Sequence, residues 1–510
     1  MGLTLRIRHL LGLALLTTSS VLAMASGASA FEYLGQYGIG LPGGGSGQLT
    51  IAAGISVSPD GTVAAADVGD QRVELFTQGG KFLRAFGTDV SIGGGEGPEV
   101  CTTDCKMGKS GGTGAGELSA PWGVVATAGE IYVSEISDNR ISVFDYQGHF
   151  LRAFGSNVGG PGVNVCTTSC AAGTPGQEAG QMAGPASLAL DATGALYVAE
   201  VGTNRVDVFD PKTGQFRFAF GKDVGGPGIN TCTTTCFVGV ADATPGSLKA
   251  PYGVAISPRS EVYVAENGAS EISVFNMQGQ FLRQFGSPGP GPGQLNSPYG
   301  VGLDRTGNVY VADTMNQRIS VFGEAGDFRR AMGSGVVPGG AEGAEVCTTL
   351  CQAGKPNAYG VGEFTSPYSI GSDCRGTVYF GIVGRIDRWG EPGVRTPPCA
   401  SNAFSFGKAK KNRKKGTLTV DVTVPGPGTL VAAVGKKLSA TVPQPAAAGI
   451  VHIKIKAAGK GVKSLARSGK LKGRLTLTFT PPNEDPNTQS KSIQLSKKLK
   501  KAKGHKGGKK

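Results

Sequence analysis

Gly293-Gln-Leu-Asn-Ser-Pro298-Tyr-Gly-Val-Gly-Leu303, Gly307-Asn-Val-Tyr-Val-Ala-Asp313, Asn316-Gln-Arg318-Ile-Ser-Val-Phe322 and Asp327-Phe-Arg-Arg-Ala-Met-Gly333 follow one another along the chain. Each is a short run of β-branched, aromatic and small residues bounded by Gly, Pro, Asn or Asp, the pattern of four strands joined by turns. The whole unit recurs, with copies beginning at Gly47, Gly116, Gly180, Gly246, Gly293 and Gly362. A four-strand unit of about forty residues cannot bury both faces of its sheet alone. Repetition lets each sheet stack on the next around an axis, which is a β-propeller.

The ends of the repeat region show how the ring closes. The sixth copy stops after its third run, Arg385-Ile-Asp-Arg-Trp389-Gly390, and Phe31-Glu-Tyr-Leu-Gly-Gln-Tyr-Gly38 has the pattern of the missing fourth. The N-terminal strand is therefore expected to complete the last of six blades and leave no unpaired seam.

Ahead of it, Arg6 and Arg8 precede an apolar run, and Ala28-Ser29-Ala30 follows. That order marks residues 1–30 as an export signal. The expected layout is a signal at 1–30, a propeller at 31–400, a small β-sandwich at 401–496 and a disordered Lys-rich tail at 497–510. The sandwich rests on alternating runs at Thr417–Val424, Thr429–Val434, Ile450–Ile455, Leu475–Thr480 and Ser492–Leu495, separated by turn residues.

Charge divides the chain at the same place. Residues 31–400 hold 23 basic and 34 acidic residues, a net −11, whereas residues 401–510 hold 25 basic and 3 acidic, a net +22. A propeller of that sign lacks the footprint that phosphate backbones require, so no specific nucleic-acid partner is expected. The basic region, and above all Lys497, Lys498, Lys500, Lys501, Lys503, Lys506, Lys509 and Lys510, is expected to meet anionic wall polymers or lipid headgroups.

The ten cysteines form five pairs. Four are Cys-x-x-x-Cys modules in long connections between blades: Cys101/Cys105, Cys166/Cys170, Cys232/Cys236 and Cys347/Cys351. The fifth is Cys374 and Cys399. An even count in an exported chain points to disulfides, most simply closed within each module. The long connections show no obvious strands, and they leave an outer strand to enter the next inner one. That places them on one face, beside the turns joining second and third strands.

An acid and an arginine five residues apart recur as Asp67/Arg72, Glu135/Arg140, Glu200/Arg205 and Asp313/Arg318. They are expected to pair structurally. Glu271 replaces the arginine in the fourth copy, and Ile382 the acid in the sixth, gaps that a ring of ligands would tolerate poorly.

The signature Pro-x-Gly-Val-Ala, Val-Tyr-Val-Ala-Asp, Asn-x-Arg-Ile-x-Val-Phe, Phe-Leu-Arg-x-Phe-Gly resembles the NHL repeat family over residues 31–390. The resemblance implies an all-β, six-bladed propeller of NHL/TolB-like type, and no particular activity. Six-bladed relatives include lyases and lactonases that use His, acidic or metal-bound groups at the channel. Here His9, His149, His452 and His505 are the whole histidine supply, and His149 falls in a turn of blade two. No Gly-x-Ser-x-Gly elbow, His-Glu-x-x-His or phosphate loop is present. The expectation is a monomeric, non-catalytic binding scaffold with no cofactor or metal. Its stapled loops would recognise a protein, peptide or glycan. The alternative is a metal-dependent lyase or hydrolase of the same fold.

Overall fold

The computed structural model describes residues 31–499 apart from 39–41, 60, 341–342, 357–359, 374–375, 391–403, 425–428, 444–448 and 481–486. Six antiparallel sheets account for the repeat region. Blade one runs Ala52–Val57, Val63–Asp67, Arg72–Phe76 and Phe82–Thr88 from inner to outer strand, and the later blades repeat that order. The first strands contact one another in cyclic order around an axis, blade six against blade one included. The β-propeller is thus closed by packing of inner strands, with hydrogen-bonded sheets arranged radially.

Closure follows the expected route. Glu32–Tyr37 pairs antiparallel with Arg385–Gly390, so the sixth sheet combines the start and the end of the repeat region. Phe31 stacks on Trp389 at 6.0 Å and Tyr37 on Phe76 of blade one at 5.6 Å.

Repeated small residues explain the ring. Adjacent first strands approach so closely that a Cβ on Gly253 would lie 2.6 Å from the Tyr299 carbonyl, and one on Gly300 would lie 2.5 Å from that of Tyr368. The glycine of Pro-x-Gly is therefore a packing requirement. Where serine stands instead, it bonds across: Ser369 Oγ donates to the Ala52 carbonyl at 2.7 Å.

A second device latches each of the first five blades to the next. The residue before four of the five repeat arginines accepts an amide from the next blade: Gln71 from Ala120 (2.7 Å), Asn139 from Gly184 (2.9 Å), Asn204 from Ala250 (3.0 Å) and Gln317 from Ser366 (2.8 Å). Ser270 does the same for Ser297 at 3.1 Å. Both residues of every latch hold positive φ, so strained backbone is offset by a directed inter-blade bond.

The basic region is a two-sheet sandwich. Among the described residues, seven strands divide as Ser405–Asn412, Thr417–Val424, Gly449–Ala457, Leu438–Thr441 in one sheet and Thr429–Val434, Lys470–Thr480, Asn487–Ser496 in the other. That is sequence order 1-2-5-4 over 3-6-7. The two sheets share one core that includes Leu418, Ile453, Leu477 and Phe479. Two strands and one helix go beyond the sequence reading. Ser405–Asn412 and Leu438–Thr441 complete the first sheet, and Lys460–Ser468 is α-helical, so this domain is not wholly β.

Candidate binding face

The four long connections are not strandless. Each contributes a fifth, outermost strand to the blade it leaves: Pro98–Cys101, Val165–Cys166, Thr231–Cys232 and Ala344–Cys347. The first cysteine of each module stands opposite an alanine of the fourth strand, in the pairs Ala85–Cys101, Ala153–Cys166, Ala219–Cys232 and Ala331–Cys347. All four modules are closed internally as disulfides, Cys101–Cys105, Cys166–Cys170, Cys232–Cys236 and Cys347–Cys351, with Cα separations of 5.4 to 5.5 Å. The second cysteines follow the fifth strand and turn inward. Cys105, Cys236 and Cys351 are buried, and Cys170 is half-buried. Cys105, Cys236 and Cys351 share small apolar clusters with the residues beneath them, and Cys170 packs against the cluster of Ala153, Val158 and Cys166. The disulfides therefore shape this face from within, and the surface open to a ligand belongs to other residues. Cys374 and Cys399 lie outside the described residues.

After the disulfide the chain turns back over its own blade. Gly108, Gly173, Gly239 and Gly354 each donate their amide to the turn joining second and third strands, at Asp70 (2.8 Å), Asp138 (2.7 Å), Thr203 (2.8 Å) and Asn316 (2.7 Å). A Cβ on Gly108 would sit 2.8 Å from the Gln71 carbonyl, which is why glycine follows each module at the third position. The connections thus lie on one face beside those turns, as expected.

The repeat arginines hold this arrangement from beneath. Arg72 is fully buried and donates to the carbonyls of Gly44 (2.5 Å), Gly45 (2.9 Å), Gln48 (2.8 Å) and Lys106 (2.8 Å). The first three belong to the connection entering blade one, and the last follows its disulfide. Arg318 repeats this on Pro290, Gly291, Gln294 and Gln352. Arg140 and Arg205 likewise reach the residues that follow Cys170 and Cys236, namely Ala171 and Phe237.

The expected acid–arginine pairing holds in only two of the four named pairs. Arg140 meets Glu135 at 2.8 Å and Arg318 meets Asp313 at 2.8 Å. In blades one and three the nearest ion partner lies two residues after the arginine instead, Glu74 at 2.7 Å (with Asp70 also at 3.3 Å) and Asp207 at 2.6 Å, and Arg385 of blade six follows suit with Asp387. Asp67 and Glu200 remain as acceptors for the amides of Thr50 (2.7 Å) and Ala183 (2.6 Å). The spacing could not separate the two geometries, but the residue at the second position could. It is Ser142 or Ser320 where the earlier acid pairs, and Glu74, Asp207 or Asp387 where it does not. Burial raises the carboxyls of Glu135, Asp313 and Glu74, with the arginine charge opposing it.

At the centre of the same face lies a feature that sequence reading did not single out. The residue after the repeat proline is Trp122, Tyr252, Tyr299 and Tyr368 in blades two, four, five and six, and the equivalent positions in blades one and three are Ala53 and Ala186. These positions open the first strands, next to where the long connections end. The four rings meet over the axis: Tyr252–Tyr299 at 4.6 Å, Tyr299–Tyr368 at 5.2 Å, Trp122–Tyr252 at 5.3 Å and Trp122–Tyr299 at 5.9 Å. They are half-buried. Burial, and then the neighbouring Tyr299, raises the phenols of Tyr252 and Tyr368. The rings cap one end of an axial cavity of about 630 Å³ lined by the six first strands.

Asp191, Asp304 and Asp373 line the opposite end. Their carboxylates are committed to turns: Asp191 to the Thr193 and Ala195 amides (both 2.8 Å), Asp304 to Thr306 and Asn308 (both 2.9 Å), and Asp373 to Thr377 (2.9 Å) and the Tyr379 hydroxyl (3.1 Å). Among the described residues no group of three or more His, Cys, Asp or Glu is placed to hold a metal ion. His149 sits on the outer rim, exposed, beside Asp145 at 3.1 Å.

On the sandwich, Lys410, Thr419, Lys454 and Thr441 form one cross-strand row, with Lys408 and Lys456 also exposed. The main chain stays attached through Lys497 and Lys498, whose amides bond Gly469 (2.8 Å) and Arg413 (2.9 Å). Lys500, Lys501, Lys503, Lys506, Lys509 and Lys510 lie outside the described residues, as do residues 1–30. Among the described residues no helix is long and apolar enough to cross a membrane.

The fold and its radial sheets define a six-bladed β-propeller. Residues 295–322, in blade five, match the family model described as NHL repeat. No curated protein matches the sequence. Solved structures that it resembles include a streptogramin B lyase (12% identity, 70% of this chain and 97% of that one, TM-score 0.39). Others are a gluconolactonase from Xanthomonas campestris (14%, 68% and 87%, 0.38) and the WD40 propeller domain of Doa1 (11%, 69% and 98%, 0.36). Likeness this distant transfers neither substrate nor reaction.

Proposed function

We propose that this protein is a recognition scaffold whose ligand, a peptide, protein or glycan, docks on the propeller face that carries the disulfide loops. The single observation behind this reading is the cluster of Trp122, Tyr252, Tyr299 and Tyr368 over the channel, on the same face as the stapled connections. Half-exposed aromatic rings offer large contact area at low entropic cost, together with phenolic hydrogen bonds. Disulfides and arginine clamps fix the surrounding loops before a partner arrives, which lowers the ordering cost of binding. Screening the chain from Phe31 onward against glycan and peptide arrays tests this reading.

The protein works outside the cytoplasm in this reading. Four closed disulfides fit an oxidising compartment, and the order of residues 1–30 fits an export signal. The +22 charge of residues 401–510 draws it to anionic envelope polymers or lipids. Removing residues 499–510 deletes six lysines and should weaken retention on anionic vesicles and reduce its salt dependence. Equal retention at low salt would assign the tail to solubility alone.

A further inference from the structure

Five blades begin their third strand with an arginine, and blade four begins it with Glu271. The surroundings of that position are nonetheless retained. In blade two, Glu135 Oε1 accepts both Arg140 Nε at 2.8 Å and the Ser142 hydroxyl at 2.5 Å, while Oε2 accepts the Ser119 amide at 3.0 Å. Blade five repeats this with Asp313, Arg318 and Ser320. Blade four keeps the acid and the serine as Glu266 and Ser273, each 1% exposed. Glu266 Oε2 accepts the Lys249 amide at 2.9 Å, matching Glu135. Arg140 spans both oxygens of Glu135, at 2.8 Å to Oε1 and 3.2 Å to Oε2, whereas Glu266 Oε1 makes no hydrogen bond of normal geometry and has the Ser273 hydroxyl beside it.

The carbonyls that an arginine would meet are also in place. In blades one and five, Nη2 bonds Gly45 and Gln48, or Gly291 and Gln294, whose turns are closed by amide bonds of 3.1 and 3.2 Å. Blade four closes the same turn from Ser247 to Thr244 at 3.0 Å. Blade four thus keeps the acid, the serine and the carbonyl turn of the arginine site, and places a second carboxylate, Glu271, where the other blades start with arginine. Gln284 Nε2 donates to Glu271 Oε2 at 3.1 Å.

We propose that blade four binds a hard divalent cation, calcium by its chemistry, at the position of the missing arginine, through Glu266 and Glu271 and the carbonyls of Thr244 and Ser247. Calcium accepts an irregular set of carboxylate and carbonyl oxygens, whereas magnesium demands near-ideal octahedral geometry. Glu271 is only half-buried and leaves a route of entry. A buried carboxylate beside a second acid gains from any cation that pairs with it.

The test is calorimetric titration of calcium chloride into the EDTA-treated chain from Phe31 onward, with thermal midpoints measured in parallel. One site is expected, with Kd in the range of about 10⁻⁴–10⁻³ M typical of extracellular modules, and a midpoint that rises with calcium. Glu271→Arg supplies the side chain found in the other blades. It should weaken calcium binding at least tenfold while leaving the calcium-free midpoint unchanged or higher. If that variant fails to fold, the near-isosteric Glu266→Gln must show the same loss of binding. Absence of heat and of any midpoint shift up to about 10 mM calcium would overturn the proposal. So would wild-type affinity in Glu271→Arg or Glu266→Gln.

Discussion

Cys101 stands directly opposite Ala85 on the outer edge of blade one, and the same pairing of cysteine with alanine recurs in blades two, three and five. Ala85 is fully buried under the disulfide, in a cluster with Val90, Cys101 and Cys105. Blade four has Gln284 at this position and no disulfide loop, and its side chain bonds Glu271 at 3.1 Å. The alanine is thus the socket for the staple. Ala85→Gln should overfill it and cost about 1–3 kcal/mol. Urea unfolding would show the loss, and unreduced peptide mapping would show whether Cys101–Cys105 still closes.

Closure of the ring depends on Glu32–Tyr37 zipped to Arg385–Gly390. Deleting residues 31–38 removes that strand together with the Phe31–Trp389 and Tyr37–Phe76 contacts. An unpaired edge invites association with other chains. The truncated protein should aggregate or lose several degrees of thermal midpoint, measured by light scattering and calorimetry. A monomer of unchanged midpoint would refute closure by the N-terminal strand.

Arg318 joins Asp313 to four backbone carbonyls from two connections. Arg318→Ala leaves a buried carboxylate uncompensated and those carbonyls without their donor. The expected cost is about 3–5 kcal/mol. Hydrogen exchange at Gly354 should also accelerate, because the loop after Cys351 loses its clamp. An effect below about 1 kcal/mol, the size of an exposed pair, would show that the clamp is dispensable.

Much of this was legible in the chain. Strand runs of the type Val309–Val311 and Ile319–Phe322, bounded by Gly, Asn and Asp, identify a blade, and Phe31–Gly38 identifies its missing piece. The spacing of Cys166 from Cys170 and of Cys232 from Cys236 also pointed to closure within each module. The fifth strands were hidden because Val165–Cys166 and Thr231–Cys232 are two residues long and carry no alternation. Ser405–Asn412 escaped because it is a lysine-rich edge strand with scarcely any buried face. Lys460–Ser468 buries only Gly461 and Leu465, too little to show a helical period. The aromatic cluster was written in one variable position after proline, and it becomes a site only when four blades bring it together.

Glu266 also gives stability a pH dependence. Its carboxyl moves from 4.5 to about 8 on folding, so between those values the folded chain holds a proton that the unfolded chain has released. Stability therefore falls as pH rises through that window, in buffer free of divalent cations. Glu266→Gln should remove up to about one proton's worth of that slope. Urea midpoints between about pH 5 and 8.5 for both proteins would measure it. Parallel slopes would show that Glu266 ionises normally.

Ligand docking on the face where Trp122, Tyr252, Tyr299 and Tyr368 meet is tested most directly by array binding. Glycan- and peptide-array binding of the wild-type chain is compared with that of Trp122→Ala, using His149→Ala on the outer rim as the control. Hot-spot aromatics typically contribute about 2 kcal/mol or more to binding. Binding in one ligand class should therefore fall at least tenfold in Trp122→Ala and stay unchanged in His149→Ala. Equal binding by all three proteins, or none in either class, would contradict it.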